Sequence, residues 1–309
     1  MTDYLNRIFN EDNIGGLERI PDESVHLIAS DIPYGIGVED WDVLHDNTNS
    51  AYMGTSPAQL NAGAVFKKRG KPINGWSEAD RLIPKQYYDW CATWASEWNR
   101  VLKPGGSAFI FAGRRFSHRC SAAMEDAGFS LKDMFAWMRE RAPHRAQRLS
   151  VVFERRGDQA NASKWEGWRV GNLRPLFEPV LWFTKPYKIG TTIADNVLNH
   201  GVGAYNETAF TDYEGTVDNV LKCGFSANET GFHPTQKPIS LMKVIIELST
   251  ITGQTVLDPF CGSGSTLVAA KVLDRNYIGF EIDSNYVKIA EERLTKVDRE
   301  PTLGFLTMP

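Results

Sequence analysis

The order of its apolar runs restricts this chain most. Val25-His26-Leu27-Ile28-Ala29 is a short strand-like run that stops on Ser30, Asp31 and, two residues on, Pro33. Next comes "YYDWCATWASEWNRVL" (87–102), where Trp90, Trp94, Trp98, Val101 and Leu102 recur at helical spacing, then "KPGG" and a second apolar run, "SAFIFA" (107–112). That is strand, helix, strand, with the tryptophan stripe read as the face a helix packs on a sheet. Further along, 177–184 reads as a strand, 240–252 as a helix, 255–260 as a strand, 265–273 as a helix and 276–282 as a strand. Such alternation predicts an α/β fold around a mostly parallel sheet.

Residues 43–84 and 139–230 fit that alternation poorly and are rich in Gly, Asn, Pro and Arg, so they read as insertions that carry substrate contacts. With 309 residues, 42% of them hydrophobic, the chain can bury a sizeable core. The formal net charge of −4 gives no global sign of nucleic-acid binding, so any basic surface has to be local. Cys91, Cys120, Cys223 and Cys261 are widely spaced without a CxxC pair, which points to neither a zinc site nor a disulfide framework, and fits a reducing cytoplasm. The polar, acidic N-terminus lacks the pattern of a signal peptide, and no segment approaches a membrane span.

Two stretches carry chemical signals. In "SDIPYGIGVEDWD" (30–42) a strand ends on an acid followed by a proline, a tyrosine and glycines; taken alone, this is equally the turn that ends a strand. In "VLDPFCGSGSTLVAA" (256–270) a strand ends at Asp258, Phe260-Cys261-Gly262-Ser263-Gly264 makes a tight turn, and a helix starts near Ser265. Gly262 and Gly264 stand where a ligand would approach the backbone closely. Glu281, ending the next strand in "GFEID", is placed to accept hydrogen bonds from both hydroxyls of a ribose. The third glycine of the dehydrogenase G-x-G-x-x-G pattern is absent, which weakens that competing reading.

Taken together, Asp-x-Pro-Tyr at 31–34, "HPTQKP" at 233–238 and "DPFCGSGST" at 258–266 resemble the amino-group DNA methyltransferases of the β class. The motifs run in that class's permuted order: catalytic motif, target-recognition region, cofactor motif. The resemblance covers most of the chain. It implies a single Rossmann-like methyltransferase domain over 1–309, with a doubly wound sheet. A catalytic half would span 1–138 and 175–186, a cofactor half 233–298, inserted and target-recognition segments 139–230, and a loop near the target base 43–84. It implies S-adenosylmethionine as cofactor, held by Asp12, Thr235, Lys237, Asp258, Phe260, Gly262, Gly264, Ser265 and Glu281, with Asp12 near the adenine and Thr235 and Lys237 near the methionine moiety. No metal is called for. His233 has no second histidine at ligand spacing.

Physical chemistry assigns the catalytic roles alongside the resemblance. An exocyclic amine is a poor nucleophile because its lone pair is conjugated with the ring, so hydrogen-bond acceptors have to draw that pair out of conjugation. Asp31 can accept one amine hydrogen, the carbonyl of Ile32 the other, and Tyr34, beyond Pro33, can stack on a flipped base. The family's usual second residue is proline; Ile32 keeps the carbonyl, and Pro33 still holds it extended. No cysteine follows a proline, which disfavours methylation at a ring carbon. Within the resemblance an initial Asp favours adenine N6, with cytosine N4 as the alternative. Two readings stand further off: an RNA or small-molecule methyltransferase, and a catalytically silent DNA-binding relative.

DNA contact has to come from the insertions. Between residues 139 and 174 nine Lys or Arg face four acids, a local excess of five positive charges interleaved with Trp165 and Trp168. Arg139, Arg141, Arg145, Arg148, Arg155, Arg156, Arg169 and Arg174 are the candidate phosphate contacts. Residues 187–230 occupy the target-recognition position, and "VFKKRGKP" (65–72) adds a smaller basic patch. The expected partners are double-stranded DNA and a cognate restriction endonuclease, with the protein a monomer or homodimer, cytoplasmic, nucleoid-associated, and encoded by a prokaryote or phage.

Overall fold

The computed structural model describes residues 3–35, 78–139, 142, 146–210, 218–226, 229, 231–232 and 235–297. The loop at 43–77, the basic patch at 65–72, Arg141, Arg145 and His233 lie outside them. In chain order the elements begin with β1 (Arg7–Phe9), α1 (Asn13–Leu17), β2 (Val25–Asp31), α2 (Glu78–Val101), β3 (Leu102–Phe111), α3 (Gly113–Asp126) and β4 (Ser130–Met138). A small module follows: β5 (Gln147–Arg148), α4 (Leu149–Arg155), α5 (Gln159–Lys164) and β6 (Arg169–Val170). The chain returns through β7 (Phe177–Thr184), α6 (Ile193–His200) and β8 (Val220–Leu221). It closes with α7 (Ile239–Ser249), β9 (Thr255–Asp258), α8 (Ser265–Val272), β10 (Asn276–Phe280) and α9 (Ser284–Thr295).

Eight strands form one sheet in the order β1-β10-β9-β2-β3-β7-β4-β8. From β1 across to β3 every neighbour is parallel, as the alternating pattern predicts. Beyond β3 the sheet is mixed, because β7 runs antiparallel to both β3 and β4, and β8 then pairs parallel with β4. Strand β4 gives no clear signal in the sequence because its first five residues are exposed, so it lacks the apolar run that marks the buried strands.

Period-two alternation divides the side chains of the central strands between two cores. Ile28, Ala108, Ile110, Leu181 and Phe183 join Trp94, Trp98 and Phe116 on the α2/α3 face. Leu27, Ala29, Phe109, Phe111, Val180 and Trp182 join Leu241, Ile245 and Ala269 on the α7/α8 face. Helices therefore cover both faces, and the ends of the parallel strands are where a ligand can enter. "KPGG" is not a separate turn: β3 runs through it, with Gly105 at φ +79° and the Asn196 amide, from α6, packed against its Cα. Part of the 187–230 segment is thus framework, since Asn196 also donates to the carbonyls of Pro104 and Val202.

Candidate active site

Strands β2 and β9 pair in parallel, with Ile28 opposite Leu257, so their C-terminal ends coincide. This pairing joins the two chemical motifs. The Ser30 hydroxyl donates to the Asp258 carboxylate at 2.7 Å across 228 residues of sequence. A cavity of about 260 Å³ opens at these ends. Asp12, Asp31, Pro33, Thr235, Lys237, Asp258, Phe260, Gly262, Ser265 and Glu281 all line it.

At one end the wall is the turn between β9 and α8. Gly262 and Gly264 both take positive φ, +48° and +80°, and the Cys261 and Gly264 amides are fixed by the carbonyls of Phe280 and Cys261. Glu281 accepts the Gly262 amide at 2.9 Å and the Asp283 amide at 2.8 Å, so the carboxylate predicted to meet a ribose also pins the turn. Burial pushes the Asp258 carboxyl up to about 6, against hydrogen bonds from Thr266, Ser30 and the Phe260 amide. Gly264 does not line the cavity. A Cβ there would meet the Ala290 Cβ at 2.8 Å, so this glycine lets α9 approach the turn. From the same helix, the buried Arg293 guanidinium donates to the Ser263 carbonyl behind the turn.

Sequence reasoning named Asp12 but missed several other wall residues. Asp12 caps α1 by accepting the Ile14 amide at 2.9 Å, and its neighbours Glu11 and Asn13 also line the cavity. The Asn13 side-chain oxygen is buried without a hydrogen-bond partner among the described residues, an acceptor open to a ligand's donor. Trp90 lines the cavity too, while Trp94 and Trp98 are buried, and all three rings pack around Phe260 at 5.7–6.2 Å. The helical stripe therefore serves both the core and one wall of the site.

Beside the cavity stands a compact group of charges. Lys237 Nζ lies 2.6 Å from Asp31 Oδ2 and 3.1 Å from Glu178 Oε1, with these side chains only 5%, 19% and 13% exposed. The Tyr34 hydroxyl donates to Asp31 Oδ1 at 2.8 Å or to Glu178, and itself accepts from Lys237 at 3.1 Å. Burial works to discharge Lys237, but the two carboxylates outweigh it and raise its pKa, so the ammonium stays charged. Burial likewise pushes the Asp31 carboxyl up to about 6, reinforced by the Glu178 charge and opposed by Lys237 and the Tyr34 hydroxyl. Lys237 lines the cavity, but its ammonium is committed to this group. Glu178 was not anticipated, although an acid near the start of the apolar strand "FEPVLWFT" was a usable signal.

Ile32 is 1% exposed and packs in the α2/α3 core, so the departure from proline is absorbed by burial of its side chain. Gly113, at φ +62°, admits the Tyr34 ring beside it, where a Cβ would come within 2.9 Å. The Tyr87 hydroxyl holds the Pro33 carbonyl at 2.9 Å.

The basic insertion is a separate small module in which the β5/β6 ribbon, the α4/α5 pair and the segment after β6 present Arg148, Arg155, Arg156, Arg169 and Arg174 to solvent. Among the described residues no ion pair neutralises these five. Arg169 donates to the Ala146 carbonyl, and Arg139, at the end of β4, lies over the Trp137 ring at 5.7 Å.

Comparison with known proteins agrees with this geometry. The N6/N4 DNA methylase family model matches residues 25–292. The type II methyltransferase M.HindIII of Haemophilus influenzae is 54% identical over 292 residues, which span 93% of this chain and 94% of that protein. The PvuII DNA methyltransferase, described as cytosine-N4-specific, shares the fold at a TM-score of 0.60 and 18% identity, over 93% of this chain and 85% of its own. The complex of M1.HpyAVI with S-adenosylmethionine does so at 0.54 and 21%, over 93% and 98%. A doubly wound sheet that sets Asp31 and the Asp258 turn at one cavity, a family model spanning both motifs and a relative sharing more than half its residues agree: the chain belongs to the amino-group DNA methylase family.

Proposed function

We propose that this chain transfers a methyl group from S-adenosylmethionine to the exocyclic amine of a base flipped out of duplex DNA, and that the base is adenine, methylated at N6. The single observation that carries the reading is the meeting of Asp31 and the Asp258–Ser265 turn at one cavity. The cavity suits the cofactor: a turn with two positive-φ glycines, the Glu281 carboxylate, an apolar wall from Trp90 and Phe260, and an open acceptor on Asn13. Glu281 and Asp12 would take the ribose and adenine end, Thr235 the methionine end. When bound, the cofactor supplies an electrophilic methyl group on a sulfonium centre.

Asp31 accepts a hydrogen bond from the target amine and draws its lone pair away from the ring, with the carbonyl of residue 32 as second acceptor. After transfer, Asp31 takes the proton that the amine nitrogen sheds and passes it to solvent. Tyr34 supplies a face for the base once its hydroxyl leaves Asp31. The exposed arginines of the basic module bind phosphates. Adenine is favoured over cytosine because the motif opens with Asp; cytosine N4 is the second reading. Single-molecule sequencing of DNA from cells expressing the chain tests all of this together. N6-methyladenine in one sequence context is expected. N4-methylcytosine would overturn the choice of base, and unmodified DNA the activity.

A further inference from the structure

Neither motif accounts for Glu178. It stands on β7, the antiparallel neighbour of β3, while Asp31 ends β2 on the other side of β3. Lys237 reaches between them from the segment before α7, and its three protons face four acceptors: Asp31 at 2.6 Å, the Thr235 carbonyl at 3.0 Å, and Glu178 and Tyr34 at 3.1 Å each. The rings of Phe111 and Trp137 lie 5.0 and 5.9 Å from the ammonium. Such an enclosed cation keeps its charge only where carboxylates answer it.

The charge balance has a consequence for the reaction, resting on the role proposed above for Asp31. In methyl transfer the sulfur–carbon bond breaks with its electron pair left on sulfur, while the amine lone pair forms the new nitrogen–carbon bond. Positive charge thus moves onto the amine nitrogen, and the nitrogen then loses a proton to Asp31. A negative environment favours that movement. Asp31 alone beside Lys237 is a neutral pair, and its carboxylate is already occupied. Two carboxylates around one ammonium leave one net negative charge.

We propose that Glu178 is a positioning residue for methyl transfer: it holds the Lys237 ammonium, so that Asp31 turns to the target amine with its negative charge uncancelled. Tyr34 fits this arrangement, since its hydroxyl bridges the two carboxylates and can remain with Glu178 when Asp31 engages the base. Among the described residues, the charged and titratable groups facing Asp31 are Lys237, Glu178 and Tyr34, with Asp258 on the neighbouring strand β9.

The test is a charge series on the full-length enzyme: Asp31→Asn, Glu178→Gln, Glu178→Asp, Lys237→Met and the double variant Glu178→Gln/Lys237→Met. Each is checked for a cooperative melt and for binding of S-adenosylmethionine and duplex DNA. Glu178→Gln is expected to lower kcat about ten- to a hundredfold, less than the roughly hundred- to thousandfold loss of a partner that touches the reacting atoms because Glu178 acts through Lys237, with KM for DNA within about threefold. Glu178→Asp should recover part of the loss. In the double variant Asp31 again carries one uncancelled charge, so its kcat should exceed that of Glu178→Gln. A purely structural role for Glu178 predicts losses that add, leaving the double variant the worst. Independently of turnover, ¹³C-carboxyl NMR should show Asp31 titrating at lower pH in Glu178→Gln, because a negative neighbour has been removed.

Unchanged kcat in Glu178→Gln, or a double variant no better than that single variant, overturns the proposal. Should Glu178→Gln fail to fold, a soluble double variant with kcat at or above that of Lys237→Met supports it, and a soluble double variant with kcat below that of Lys237→Met refutes it. If Asp31→Asn turns over normally, the role given to Asp31 falls and this inference with it. A dead Asp31→Asn beside a fully active Glu178→Gln removes this inference alone.

Discussion

Replacing Gly264 with alanine separates the two tasks that a glycine in this turn can perform. Its φ of +80° is a left-handed conformation, which costs a residue with a Cβ about 1–2 kcal/mol. The added Cβ would also stand 2.8 Å from the Ala290 Cβ and 3.3 Å from its Cα, on a helix whose backbone cannot turn aside as a flexible side chain would. Overpacking of this kind costs about 1–3 kcal/mol. The sum, about 2–5 kcal/mol, corresponds to a Tm lower by about 4–10 °C at roughly 2 °C per kcal/mol for a chain of this size. Differential scanning fluorimetry measures the shift, and calorimetry on the folded protein measures cofactor affinity, expected within a few-fold of wild type. Gly262→Ala is the contrast. Its φ of +48° is close to that of Asn6 and Asp274, which carry side chains, and it lines the cavity, so its expected loss is in cofactor binding. An unchanged Tm for Gly264→Ala together with abolished cofactor binding would refute the reasoning, because it would place the ligand where the structure places α9.

Asp31→Ala should abolish methyl transfer, by about a thousandfold or more, while S-adenosylmethionine binds within a few-fold of wild type; retained turnover removes Asp31 from the mechanism. Because the acceptor must be ionised and burial raises Asp31 to about 6 in the free enzyme, kcat/KM should climb with pH through about 6 and level off above. At pH 5 it should be roughly a tenth of its plateau, and a flat profile from pH 5 to 8 would argue against Asp31 as the acceptor. Neutralising Arg155 and Arg156 together should weaken cognate and scrambled duplexes alike and flatten the slope of log affinity against log salt by about 1.8, near 0.9 per lost phosphate contact. An unchanged slope on both duplexes excludes phosphate contact by this pair, and a loss confined to cognate DNA assigns it to base edges.

The sequence by itself determined the class of sheet, because an apolar run, an amphipathic stripe and a second apolar run recur in β2-α2-β3 and again in β9-α8-β10, and that pattern comes from burial on two faces. It also determined both chemical motifs, since a strand end carrying Asp31-x-Pro33-Tyr34 and a turn carrying Gly262-x-Gly264 show their residue types directly. Tertiary structure decided what each residue touches. Period and propensity are local, whereas the Ser30–Asp258 bond depends on which strand pairs with β2, a choice between segments far apart in the chain. The same limit explains the two glycines, alike in sequence, of which one borders the cavity and the other an alanine of α9. It explains Glu178 as well: a single acid in an apolar strand acquires a role only when the antiparallel return of β7 sets it beside Lys237, where low exposure makes every uncompensated charge expensive.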